Sequence, residues 1–302
     1  MNKKYWAILL IVFVCSCNSG PDKRQTSSSA DSIASAPQSS KEEQQLLSYW
    51  DDVDFRDTTS VRNPDIGEQQ FVDFIAMLPK VSDAVAATAI QSMLKKAEVE
   101  EVSFRYYIEK YRHYLYNPNS PMHKEAYYKP VLDYLVRSPK VSDVDKVRYS
   151  TLLKLVTQNQ VGSVAANFRY LNAKGGYNRL HEGKGNYKLL VFYDPTCSHC
   201  AAVLHDLRNS DTVNTFIQKE LLEVRAICAV PDRELWKGYQ GSIPKNWTNG
   251  LDEKGEIIAK SLYNIQAFPT IYLLDKENRV LVKDEPFESI LAYLLRKITP
   301  VS

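Results

Sequence analysis

Apolar residues follow two different periods along the chain, and the change falls near residue 160. Between about residues 41 and 160 they recur at helical spacing, as in Phe71, Phe74, Ile75 and Leu78. After about residue 161, short β-type runs alternate with amphipathic helical segments. The pattern therefore predicts an all-α domain over 41–160, followed by an α/β domain over 161–302.

Four apolar runs in the second half predict β-strands. They cover residues 189–193, 224–230, 270–274 and 280–282. The closing helix is predicted to have an apolar face formed by Phe287, Ile290, Leu291, Leu294 and Leu295. Strands alternating with helices in this way predict a mixed sheet that is covered by helices on both sides.

The pentapeptide Pro-Lys-Val-Ser-Asp occurs twice in the helical region, at 79–83 and 139–143. A duplicated helical hairpin is one interpretation. The other is a helix stop followed by an N-cap, because proline ends helices and serine or aspartate begins them. Tyrosines are also crowded in this region, and their helical spacing favours core and rim positions over a ligand groove.

The first residues have the pattern of an export signal. Lys3 and Lys4 precede an apolar run over 5–14, which is too short to span a membrane permanently, and small residues follow. The sequence Val-Cys-Ser-Cys at 14–17 resembles the lipobox of bacterial lipoproteins. This resemblance implies a signal peptide over 1–16 and lipidation of Cys17, with an ordinary secretory signal as the alternative. The serine-rich segment 17–40 predicts a flexible tether.

The charge balance excludes some classes of partner. The 302 residues include 38 Lys and Arg and 36 Asp and Glu, and loss of Lys3 and Lys4 with the signal peptide would balance the charges. A balanced chain gives no basis for binding nucleic acid or for electrostatic attraction to a membrane. We therefore expect attachment through a lipid on Cys17, in the bacterial envelope and facing the periplasm.

Five cysteines are present, of which Cys15 and Cys17 belong to the processing site. Three cysteines in the remaining chain are too few for a disulfide framework. Cys197 and Cys200 directly follow a predicted buried strand and open an amphipathic helix, where the helix N-terminus lowers a thiol pKa. Cys228 falls inside the predicted strand 224–230, where a core position is expected.

The pair Cys197 and Cys200 therefore predicts a redox-active dithiol. Cys197 would attack a disulfide, and Cys200 would resolve the mixed disulfide. A zinc site would need two more ligands, which the sequence does not offer at matching spacing. A purely structural bridge would close so small a loop that it would add little stability.

Two segments carry a resemblance to a known family. The residues Phe-Tyr-Asp-Pro-Thr-Cys-Ser-His-Cys at 192–200 and Ala-Phe-Pro-Thr-Ile-Tyr-Leu-Leu-Asp at 267–275 resemble the active-site and cis-proline segments of thioredoxin-like proteins. The similarity is closest to envelope thiol:disulfide oxidoreductases of the TlpA/ResA type. Residues 232–259 resemble the central insertion of that group. The similarity implies a thioredoxin-like fold, a cis peptide bond before Pro269, and docking of the substrate on Phe268 and Pro269. The helical region resembles an uncharacterised domain of envelope lipoproteins.

Two positions bear on the direction of electron flow. His199 stands beside the second cysteine, as in oxidising disulfide donors and isomerases, where a partly protonated imidazole stabilises the thiolate. Val191 stands where thioredoxin has a buried acid, so the usual proton acceptor for Cys200 is missing. Asp194 and Glu182 are the candidate substitutes.

We therefore expect an envelope thiol:disulfide oxidoreductase, with reduction slightly preferred over oxidation or isomerisation. Its partners would be cysteine-containing exported proteins and a membrane or periplasmic electron donor or acceptor. No metal or cofactor is expected. The alternative is a non-catalytic binding lipoprotein of the envelope, in which the thioredoxin-like domain is structural.

Overall fold

The computed structural model describes residues 40–183 and 186–297. The predicted signal peptide, the lipidation site at Cys17 and all of the tether except Ser40 lie outside the described residues. Among the described residues, none of the helices has the length and apolar character needed to cross a membrane.

Helices occupy the N-terminal part, as its apolar spacing predicts. They are α1 (Lys41–Ser48), α2 (Thr58–Arg62), α3 (Gln69–Met77), α4 (Asp83–Ala97), α5 (Glu101–Tyr111), α6 (Glu125–Arg137) and α7 (Asp143–Val156), with π-helical turns at Pro64–Glu68 and Arg112–Tyr116. Aromatic rings fill much of their common core. The rings of Phe71 and Tyr111, for example, meet edge to face at 4.8 Å, and both side chains are fully buried. The crowded tyrosines are thus largely core and rim residues.

Both copies of the pentapeptide join two helices. The first copy lies between α3 and α4, where Ser82 Oγ accepts a hydrogen bond from Val85 N at 3.4 Å. The second lies between α6 and α7, where Ser142 Oγ accepts from Asp145 N at 3.1 Å. The predicted helix stop followed by a serine N-cap is confirmed at both places.

A seven-stranded mixed sheet forms the C-terminal part. The strands are β1 (Arg169–Asn172), β2 (Tyr177–Arg179), β3 (Tyr187–Tyr193), β4 (Leu222–Cys228), β5 (Thr248–Leu251), β6 (Thr270–Leu274) and β7 (Val280–Lys283). Their order is β2-β1-β5-β4-β3-β6-β7. β3 lies between a parallel β4 and an antiparallel β6, so the strand that leads to Cys197 is central and buried. This arrangement confirms the predicted thioredoxin-like fold, preceded by helices.

The apolar pattern does not predict β1, β2 or β5. These strands are only three or four residues long, and their sequences Arg-Tyr-Leu-Asn, Tyr-Asn-Arg and Thr-Asn-Gly-Leu are largely polar. Their pairing depends on neighbours that are distant in sequence, such as β1 against β5. Gly250 in β5 permits one close approach, since a Cβ there would lie 2.5 Å from the Tyr170 ring.

Helices cover both faces of the sheet. They are α8 (Ser198–Asn209), α9 (Asp211–Gln218), α10 (Arg233–Tyr239), α11 (Glu256–Ala259) and α12 (Phe287–Lys297). Ile290 and Leu294 of α12 are buried as predicted, but Leu295 is 54% exposed. Successive residues of a helix are about 100° apart, so Leu295 turns away from the core and the apolar face is narrower than predicted.

Candidate functional site

Cys197 is the N-cap of α8, directly after the buried strand β3. Its Sγ accepts a hydrogen bond from Cys200 N at 3.1 Å, so the sulfur lies at the positive end of the helix. A turn before the cysteine fixes this position. Asp194 O accepts from Cys197 N at 3.1 Å, and Asp194 Oδ1 accepts from Thr196 N and Thr196 Oγ1, each at 2.8 Å. The turn leaves Cys197 partly exposed.

Cys200 lies within the first turn of α8 and is fully buried. Both cysteines are present as free thiols. Burial raises the pKa of the Cys200 thiol well above its ordinary value, and the hydrogen bond and charge of Cys197 add to this effect, against a backbone hydrogen bond from Asp194. Cys200 is therefore protonated at neutral pH and sheltered from solvent.

The segment before β6 lies against the dithiol. The peptide bond between Phe268 and Pro269 is cis, as the resemblance implies. Phe268 O accepts from the Cys197 thiol, with 3.5 Å between the oxygen and Sγ. The structure thus brings together Cys197, Cys200 and Phe268, with Pro269 bonded to the last of these.

The remaining sequence candidates differ in their relation to the dithiol. His199 is exposed in the first turn of α8. Val191 is fully buried in β3 and offers no proton acceptor. The Asp194 carboxylate is among the charges that raise the pKa of Cys200, whereas Glu182 is exposed and its Oε2 accepts from Arg179 N at the end of β2. The geometry favours Asp194 over Glu182 as the acid nearest to the dithiol.

A buried hydrogen-bond cluster under α10 supports this region. Tyr193 Oη and Trp236 Nε1 both donate to Asn249 Oδ1, each at 2.9 Å. The Tyr239 ring lies 5.6 Å from the Tyr193 ring. The inserted segment 232–259 therefore packs α10 onto the end of the strand that leads to Cys197.

Tyr239 is a site residue that sequence reasoning misses. Its side chain packs against the buried cluster that contains Cys200, and burial raises the pKa of its hydroxyl, as the thiolate forms of Cys200 and Cys197 would also do. Tyr239 follows the large apolar residue Trp236 by three positions and therefore lies on a neighbouring part of the same helix face. That spacing is the signal that could have identified it.

Cys228 has the predicted core position in β4. Its side chain is fully buried, its thiol donates to Val230 O at 3.3 Å, and burial raises its pKa to about 11. Within residues 40–183 and 186–297, no group of three His, Cys, Asp or Glu side chains is arranged to hold a metal ion.

The crystal structure of a thioredoxin-like protein from Bacteroides caccae is similar to this chain. It is 35% identical, covers 84% of this chain and 92% of its own, and superposes with a TM-score of 0.82. The chain belongs to the thioredoxin-like family. Because neither the helices nor the sheet region alone amounts to 84% of the chain, this thioredoxin-like relative shares both parts.

Other comparisons match one part only. The family described as "Domain of unknown function (DUF5106)" matches residues 25–159, which include the helical part of this thioredoxin-like protein. The C-terminal domain of an uncharacterized protein from Bacteroides fragilis is 37% identical and covers 45% of this chain and 98% of its own, with a TM-score of 0.43. The thioredoxin domain of a thiol-disulfide oxidoreductase from Bacteroides vulgatus is 24% identical and covers 45% and 96%, with a TM-score of 0.40. No curated protein matches significantly.

Proposed function

We propose that this protein is a thiol:disulfide oxidoreductase that acts on polypeptide cysteines through Cys197 and Cys200. One observation carries the proposal. The sulfur of the partly exposed residue Cys197 is held at the N-terminus of α8, while the buried Cys200 lies one turn behind it. This division supports an attacking thiolate and a protected resolving thiol.

The proposed reaction is a two-step exchange. The Cys197 thiolate attacks one sulfur of a client disulfide, an S–S bond forms between them, and the client's other sulfur leaves as a thiolate that takes up a proton. Cys200 then loses its proton and attacks Cys197 Sγ. This step forms the Cys197–Cys200 disulfide and releases the second client thiolate, so two electrons have passed to the client.

Reduction of clients is the preferred direction, and it requires a supply of electrons. A dithiol protein of the membrane or periplasm would reduce the Cys197–Cys200 disulfide after each turnover. His199 argues against this preference, because a protonated imidazole near Cys197 would stabilise the thiolate and raise the reduction potential. Measuring the reduction potential of the Cys197–Cys200 pair would decide between reduction and oxidation of clients. A value of about −270 mV is typical of a reductant and about −120 mV of an oxidant.

The proposed location is the bacterial envelope, with a lipid on Cys17 as the membrane attachment and exported proteins as clients. The lipobox-like sequence at 14–17 supports this part of the proposal. Labelling the expressed full-length protein with a radioactive fatty acid tests it. We expect label on the wild type and none on C17A, and an unlabelled wild type would refute lipidation.

The catalytic proposal is tested by thiol titration and by reduction of insulin disulfides. We expect the wild type to cycle between two and no titratable thiols at Cys197 and Cys200, and to turn over insulin with dithiothreitol as electron source. C197S should do neither, while C228S should retain both. A wild type that neither cycles nor turns over a disulfide would favour the non-catalytic binding lipoprotein instead.

A further inference from the structure

The segment that carries the cis-proline has no helix or strand of its own. This proline loop, residues 261–269, connects α11 to β6. A segment without its own ladder of hydrogen bonds is held in place by the groups around it. Two side-chain amides just after α7 hold the start of the loop. Gln158 Nε2 donates to Ser261 O at 3.2 Å, and Asn159 Nδ2 donates to Leu262 O at 2.8 Å. The helical part therefore borders the first half of the proline loop.

Glu125 of α6 binds the middle of the proline loop. Its Oε1 accepts hydrogen bonds from Asn264 Nδ2 and, at 3.3 Å, from Gln266 Nε2. Its Oε2 lies 2.8 Å from Lys283 Nζ, and both side chains of this ion pair are 9% exposed. A buried carboxylate with three such partners is fixed in position, because any movement would leave a charge or an amide unpaired.

The carboxylate is connected to the dithiol by a short path. Gln266 precedes Phe268 by two residues, and Phe268 O accepts from the Cys197 thiol. A polypeptide whose sulfur reaches Cys197 must lie against this same stretch of backbone. Misplacing the backbone by about 1 Å can lower a reaction rate substantially even when the change lies far from the reacting atoms. The contact made by Glu125 therefore bears on client docking.

We propose that Glu125 is a positioning residue, through which the helical part fixes the proline loop for docking of a client polypeptide. The inference rests on the proposed oxidoreductase function and adds a role for the region matched by a domain of unknown function. Glu125 touches neither sulfur, so it acts through Asn264 and Gln266. The expected consequence is selective. Reduction of polypeptide disulfides, which dock on the loop, should depend on Glu125, whereas reduction of small disulfides, which do not dock there, should not.

The test compares two disulfides on the full-length protein. E125Q removes the charge at nearly constant volume, and Q266A removes one bond from the loop side. For a peptide disulfide we expect E125Q to raise KM about tenfold with little change in kcat, and Q266A to raise it less. For the small disulfide dithiobis(nitrobenzoate), the rate should stay within about twofold of wild type.

A matched control and a double variant separate positioning from general damage. K124A removes the ion pair between Lys124 and Glu285, which joins the same two parts without touching the proline loop, and should leave both substrates unaffected. The double variant E125Q/Q266A should raise KM by less than the product of the two single effects, because both changes weaken the same connection. Q266A also covers the case in which E125Q fails to fold.

The outcomes distinguish this inference from the function on which it rests. Wild-type KM for the peptide in both E125Q and Q266A, with an active wild type, would overturn the positioning role alone. The positioning role would also be overturned if the variants reduced both disulfides more slowly by the same factor and KM for the peptide were unchanged. A wild type inactive towards both disulfides would refute the oxidoreductase function and the positioning role together.

Discussion

The carbonyl oxygen of Phe268 lies 3.5 Å from Cys197 Sγ and accepts a hydrogen bond from the thiol. The same sulfur accepts from Cys200 N at 3.1 Å. Cys197 is thus held by one contact in which it donates and one in which it accepts. A serine hydroxyl can also donate one hydrogen bond and accept another. Replacing Cys197 by serine should therefore keep the structural role of this side chain and remove its thiol chemistry.

The first prediction concerns C197S. Serine is among the best N-cap residues, so we expect the free energy of unfolding to stay within about 1 kcal/mol of wild type. Disulfide exchange should be lost, because a hydroxyl does not attack disulfides at neutral pH. Urea unfolding followed by circular dichroism and an insulin assay measure the two effects. A C197S protein that is unfolded, or that still turns over insulin, would contradict the assignment.

The second prediction concerns the pH dependence of the resolving step. Burial raises the pKa of Cys200, and this effect persists when Cys197 is held in a mixed disulfide, so the thiolate fraction of Cys200 should grow about tenfold per pH unit from about pH 6 to pH 9. The rate at which a Cys197 mixed disulfide with a chromogenic thiol is resolved should rise in the same proportion. Stopped-flow absorbance after mixing measures this rate.

The control for this prediction is C200S, in which the mixed disulfide should persist at every pH. A wild-type rate that flattens between about pH 8 and about pH 9 would show instead that Cys200 ionises in the ordinary range for thiols.

The third prediction concerns His199, which is exposed in the first turn of α8. If its imidazole stabilises the Cys197 thiolate, H199A should lower the reduction potential by about 30 mV, a free-energy difference of about 1.4 kcal/mol. Equilibration with glutathione buffers measures the potential. S198A, at the neighbouring exposed position, is the uncharged control and should leave it unchanged. A potential that is the same in H199A and wild type would remove His199 from the redox mechanism.

Local patterns explain which parts of the site could be predicted. Cys197 and Cys200 are identified by a buried strand directly before them and an amphipathic helix directly after, both of which are encoded within a few residues. The cis bond before Pro269 follows from resemblance over an equally short segment. In each case the sequence that carries the signal is contiguous, so no knowledge of long-range packing is needed.

The parts that escaped prediction depend on contacts between distant residues. Glu125 and Gln266 are 141 positions apart, and nothing near either one indicates the other. β5 is four residues of mixed character, and it becomes a strand because β4 and β1 offer it partners on both sides. Tyr239 becomes a neighbour of the dithiol only after α10 packs on the end of β3. Tertiary packing, rather than local propensity, decides all three.

Asp284 provides a stability test for the junction between the helices and the sheet. It follows Lys283 at the end of β7, with a left-handed φ of 48°, and its N–H donates to Ile271 O at 2.8 Å. Burial raises the pKa of its carboxyl to about 7, and the charges of Glu125 and Glu285 add to this effect against the opposing charge of Lys283. The protonated form is therefore favoured in the folded protein.

The sign of the pH effect follows from the higher pKa in the folded state. Between the unfolded value near 3.8 and the folded value near 7, the folded state binds more protons, so this carboxyl stabilises the fold at low pH and its contribution is lost as the pH rises through 7.

D284N removes this titration. We expect D284N to exceed wild type in free energy of unfolding by about 2 kcal/mol at about pH 8, a value reduced for partial solvent access, with the advantage shrinking towards about pH 5. Asparagine also tolerates a left-handed φ, but that benefit does not depend on pH, so the difference between the two pH values isolates the charge. Urea unfolding of both proteins at both pH values measures it, and an equal advantage at each would show that Asp284 is ionised normally in the fold.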